Sequence, residues 1–98
     1  MDESENIRRV LWYLFAGTKG GPTRVRIVEL LLERPYNINQ LSAKLKMNYK
    51  SVQHHMRILE ENRLISSGES KKYASMYFIA PTFEKGKDAF DEIKRKMG

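Results

Sequence analysis

Apolar residues near the start of the chain recur with the period of a helix. Ile7, Val10, Leu11, Leu14 and Phe15 stand at i, i+3, i+4, i+7 and i+8 within residues 3–16, which predicts an amphipathic helix. Trp12 and Tyr13 fall off that stripe, so more than half of the helix's girth is apolar. The surplus points to a second surface such as another subunit; the alternative is a helix central in its own core. Gly17 ends this helix, and the Gly- and Thr-rich run up to Pro22 is loop chemistry. A second helix is expected from about Pro22-Thr23, with Pro suited to its start and Thr23 as a cap. It runs to Arg34, burying Ile27, Val28, Leu31 and Leu32, and Pro35 ends it.

A short third helix follows, with Asn39 as its expected cap, Ile38 before it as a staple, and Leu41 and Leu45 facing inward. Lys46-Met47-Asn48 separates it from a fourth helix, for which Asn48 is the cap and Ser51 the third position. Val52, Met56 and Leu59, at i, i+4 and i+7, must face the core with His55 beside them. Tyr49, Lys50, Gln53, His54 and Arg57 then point outward. Leu64-Ile65-Ser66-Ser67 and Met76-Tyr77-Phe78-Ile79-Ala80 read as two short strands around a polar, basic loop. Pro81-Thr82 opens a last helix, in which Phe83, Gly86, Phe90, Ile93 and Met97 have the 3-4-3-4 spacing of a coiled-coil seam. That seam suits either a second subunit or a fold back onto its own domain.

The predicted fold is therefore mainly α with a small β-hairpin wing, in the order α-α-α-α-β-β-α. It is read as a single domain over residues 1–98, whose terminal helices (about 3–16 and 82–97) serve as dimerisation elements. The 41% hydrophobic content supports a core, though a small one at 98 residues. The chain has no Cys, so thiolate metal sites and disulfides are excluded. No apolar run nears the roughly 18–20 residues of a membrane span, and the acidic opening is unlike a secretory signal. Together these features read as a cytoplasmic protein without membrane association.

Charge changes the picture more. The net charge is +6, and residues 40–80 carry seven Lys or Arg against three acids together with both His. Such an excess favours polyanionic partners, because neutralised phosphates release counterions. Two helices joined by three residues, the second polar outside, followed by a basic-tipped hairpin, make a winged helix-turn-helix. That arrangement suits double-stranded DNA: the recognition helix, residues 49–62, enters the major groove, and the wing, residues 68–75, lies on backbone or minor groove.

Within it, Lys50, Gln53 and His54 are the candidates for base edges; Gln matches adenine and Lys matches guanine. Tyr49, Ser51 and Arg57 are phosphate candidates, as are Lys71, Lys72 and Tyr73 at the wing tip, and more weakly Arg24 and Arg26. Candidates for a dimer interface are Trp12, Tyr13, Phe15, Phe83, Phe90, Ile93 and Met97. Adjacent His54 and His55 point about 100° apart on a helix, so they do not share one metal ion as an i, i+4 pair does. No metal, cofactor or catalytic set is expected: Glu60 and Glu61 merely end a surface helix, and the glycines of residues 17–21 follow no strand.

The stretch "INQLSAKLKMNYKSVQHHMRILEENRLI" resembles the helix-turn-helix of ArsR-type regulators through Leu41, Ser42, Leu45, Met47, Ser51, Val52, His54, His55, Met56, Leu59, Leu64 and Ile65. With "RRVLWYLFAGTKGGPTR", it is similar to a group of small archaeal regulators of that type. The resemblance implies a homodimeric, sequence-specific DNA-binding transcription factor whose first and last helices build the dimer. The family often has Gly where this chain has Lys46 and Arg63. If either takes positive φ, the strain is of order 1 kcal/mol, while the cation of Lys46 gains reach toward phosphate. Metal-sensing members carry Cys, and this chain has none, so any small-molecule effector stays unspecified. The competing reading is a winged helix that binds a protein within transcription machinery; RNA is disfavoured because A-form major grooves are too narrow.

Overall fold

The computed structural model describes residues 3–68 and 76–98. The chain runs α1 (Glu3–Leu11), a wider π-helical turn (Trp12–Ala16), α2 (Gly21–Glu33), α3 (Ile38–Leu45), α4 (Tyr49–Glu61), β1 (Ile65–Ser67), β2 (Tyr77–Ile79), a 3-10 turn (Pro81–Gly86) and α5 (Lys87–Met97). This is the expected winged helix-turn-helix order, with a π turn and a 3-10 turn added at the two terminal helices. The predicted phosphate contacts Lys71, Lys72 and Tyr73 lie outside the described residues.

Caps set where the helices of the central motif begin. Asn37, not Asn39, caps α3: its Oδ1 accepts from Gln40 N at 2.7 Å, and Gln40 Oε1 accepts from Asn37 N at 2.9 Å. This reciprocal box satisfies two otherwise orphaned donors and starts the helix at Ile38, which is buried rather than a preceding staple. Asn48 caps α4 as expected, its Oδ1 accepting from Ser51 N at 2.8 Å. At the start of α2 the N-cap is Gly20, so Thr23 lies inside the helix and does not cap it. Lys46 closes α3 in the left-handed conformation (φ 56°), and Arg63 does the same after α4 (φ 60°), where glycine would be free of steric cost.

The core is one cluster. Leu11, Leu14 and Phe15 from the first helix meet Ile27, Val28 and Leu31 of α2, Leu41 and Leu45 of α3, Val52, Met56 and Leu59 of α4, and Phe83, Phe90 and Ile93 from the C-terminal segment. Phe90 packs edge-on to both Phe15 and Phe83, with ring centroids 5.3 Å apart in each pair. Four of the expected dimer contacts are therefore corrected: Phe15, Phe83, Phe90 and Ile93 are each 0% exposed within the chain's own core. The apolar seam of the last helix is real, but α1 of the same chain fills it. Gly86 is the point of closest approach, where a side chain would collide with Leu11 and Ile7. Leu32, expected inside, is instead exposed, and Val25 is buried on that helix.

Strands β1 and β2 pair antiparallel, Ile65 opposite Ile79 and Ser67 opposite Tyr77. The hairpin is also tied to the α2–α3 connection: Tyr77 N donates to Tyr36 O at 2.9 Å, forming a third, single-residue rung. Arg8 pairs with Glu92 at 2.6 Å, joining α1 to α5 at the surface.

Candidate nucleic-acid interface

The three-residue connection between α3 and α4 presents the outer side of α4. Met47 is half-buried while Lys46 and Asn48 are exposed, and the Asn48 cap fixes the first turn of α4. Val52, Met56 and Leu59 anchor the inner side at no more than 1% exposure, so the opposite side is turned outward by the same helical period. Tyr49, Lys50, Gln53, His54 and Arg57 are all exposed there, and Ser51 is half-buried with its N–H held by Asn48. No acidic residue occurs from Lys46 to Leu59; Glu60 and Glu61 come only at the C-terminal end. The N-terminal half of α4, with its free backbone N–H groups, is thus the positive end in both side-chain and dipole terms.

Two expected phosphate contacts are not gathered at this face. Arg24 is 4% exposed and points inward. Its Nε and Nη2 donate to Leu14 O at 3.1 and 3.0 Å, its Nη2 also reaches Thr18 Oγ1, and its Nη1 lies 3.1 Å from His55 Nδ1. A basic residue can be buried here without a carboxylate because the end of the first helix leaves carbonyls such as that of Leu14 unpaired at its negative pole. Arg24 is therefore withdrawn as a phosphate contact. Arg26 is exposed but lines clefts with Glu29 and Glu33 and with the end of α5, apart from the residues of α4.

The structure also brings forward residues that periodicity did not single out. Asn37, Ile38, Asn39 and Tyr77 join Tyr49 around a cleft of about 180 Å³ beside the start of α4. The Tyr77 phenol is raised above its ordinary range, first by burial and then by the nearby Glu60 carboxylate and Tyr49. No sequence signal marks Tyr77 beyond its place in a strand. His55 sits at the edge of the core as expected; its imidazole is held below the usual range by burial, then by Arg24 and His54. The two neighbouring rings diverge by 56° with centroids 5.6 Å apart, and among the described residues no three His, Asp or Glu side chains group as metal ligands.

Trp12 is partly exposed, Tyr13 is 65% exposed and Met97 38% exposed, so these three expected dimer contacts remain at the surface. No helix among the described residues is long and apolar enough to cross a membrane.

Residues 21–67 match the family model for the bacterial regulatory protein, arsR family. Among solved structures, the fold is similar to that of HlyU from Vibrio cholerae, with 16% identity and a TM-score of 0.65 over 96% of each chain. A probable transcriptional regulator from Pseudomonas aeruginosa gives 20% identity and a TM-score of 0.62, covering 96% of this chain and 76% of that one. ZitR from Lactococcus lactis gives 18% identity and a TM-score of 0.63, covering 99% of this chain and 76% of that one. No curated protein sequence matches the chain.

Proposed function

Because residues 21–67 match the family model for the bacterial regulatory protein, arsR family, we propose that this chain is a sequence-specific, double-stranded DNA-binding transcriptional regulator acting as a homodimer. The carrying observation is the outward side of α4, where Tyr49, Lys50, Gln53, His54 and Arg57 are exposed and, among the described residues, no element covers them. In the dimer each α4 occupies a major groove, with half-sites about one helical turn apart. Lys50, Gln53 and His54 face base edges, while Tyr49, Lys46 and Arg57, with the N-terminal N–H groups of α4, hold backbone phosphates. The similar protein from Pseudomonas aeruginosa is described as a probable transcriptional regulator, and this reading carries that activity over.

The test is a gel-shift titration at two salt concentrations, followed by selection of bound duplexes from a random pool. Tight, salt-dependent binding and a recovered inverted repeat are expected. Negligible duplex binding even at low salt would leave the protein-interaction reading in its place. Within a recovered site, Gln53→Ala is expected to relax preference at particular base pairs by about 1–3 kcal/mol. Arg57→Ala should instead weaken all sequences alike and reduce the salt slope by about 1. Equal losses across operator variants in both proteins would remove Gln53 from base reading.

A further inference from the structure

Arg24 and His55 form a contact behind the outward side of α4. Arg24 lies on α2, His55 on the rear of α4, and the carbonyl that completes the set belongs to Leu14 in the π turn closing the first helix. Three elements therefore meet at one guanidinium, and the only side chain it takes from the recognition helix is an imidazole. A guanidinium has donors and no acceptor. At 3.1 Å, His55 Nδ1 must consequently accept, which requires the neutral ring with its proton on Nε2. A second proton would remove the acceptor and set two cations against each other at an edge where Arg24 is buried.

We infer that the Arg24–His55 contact is a latch that holds the recognition helix in its binding position only while His55 is neutral, so that DNA affinity falls on acidification. Both are positioning residues, and the coupling to affinity rests on the regulator reading above. The charged or titratable groups acting on the imidazole are Arg24 from α2 and His54 from α4 itself, and both oppose a proton there. The connecting segment meets the ring through the backbone of Gly20, which leaves no room for a side chain. The sign follows from the depressed value in the folded state. Stability from the latch is fully present above the ordinary imidazole value of 6.5, declines as pH falls from there to the folded-state value, and is lost below it.

The experiment compares wild type with His55→Asn, whose Oδ1 can take the place of Nδ1 as an acceptor but does not titrate. Urea midpoints and duplex affinity are measured at fixed ionic strength from pH 8 to pH 5. Wild type is expected to lose stability and several-fold affinity on acidification, while His55→Asn loses neither in that window. Parallel pH profiles for the two proteins overturn the latch. A stability difference accompanied by identical affinity profiles overturns its control of recognition. If no duplex binds either protein at any pH, the regulator reading fails, while the urea series still decides whether the latch exists. Should His55→Asn not fold, the imidazole resonance of wild type is followed by NMR: titration at or above 6.5 overturns the proposal, and a depressed titration supports it.

Discussion

Lys46 and Arg63 carry the clearest local cost in the chain. Both adopt left-handed backbone, at φ 56° and 60°, where a Cβ crowds the neighbouring carbonyl. Replacing Arg63 by Gly should relieve that strain, partly offset by a more flexible unfolded chain, for a net gain of about 0.5–1 kcal/mol. Chemical denaturation measures it. Lys46→Gly should gain similarly in stability but weaken DNA binding, because it removes a cation at the turn before α4 while sparing the fold. A Lys46→Gly protein with unchanged affinity and salt slope would take Lys46 out of the phosphate set. The conditional expectation of positive φ at these two positions came from their lack of the usual glycine, and both take it.

At the scale of elements, the helix starts are controlled by single groups. Asn37→Ala breaks the box at α3 and should cost about 1 kcal/mol, whereas Asn39→Ala should cost much less, because Asn39 makes no cap. A thermal melt of the two variants separates them. Gly21→Ala places a methyl against the backbone of Phe15, which cannot swing aside, so a loss of about 3 kcal/mol or more is expected. Periodicity located each helix because burial on one side imposes it, and it correctly turned Lys50 and Gln53 away from Val52 and Met56. It did not identify the neighbour that buries a stripe. Phe15, Phe83, Phe90 and Ile93 have the spacing of an intersubunit seam and the environment of an intrachain core. Arg24 was illegible for a related reason: its partners, Leu14, Thr18 and His55, include a backbone carbonyl and a distant ring, and neither leaves a pattern in the sequence. The choice between Asn37 and Asn39 turned on Gln40 as a reciprocal partner, which was present in the sequence and was the better signal.

At the scale of the whole molecule, Trp12, Tyr13 and Met97 stay at the surface near the terminal helices after the core closes, and so does the polar side of α4. If the first group meets a second copy, Tyr13→Glu should shift sedimentation toward monomer while circular dichroism stays unchanged, and operator affinity should drop with it. A variant that sediments like wild type would move the interface elsewhere. The hairpin has a separate consequence. Because the Tyr77 amide is bonded to Tyr36 O, the base of the hairpin is anchored to the strap between α2 and α3 rather than hanging from its own two strands. The root of the hairpin is therefore carried by the same strap that leads into α3, so a displacement of Tyr36 would be passed to the hairpin and to the helix-turn-helix together.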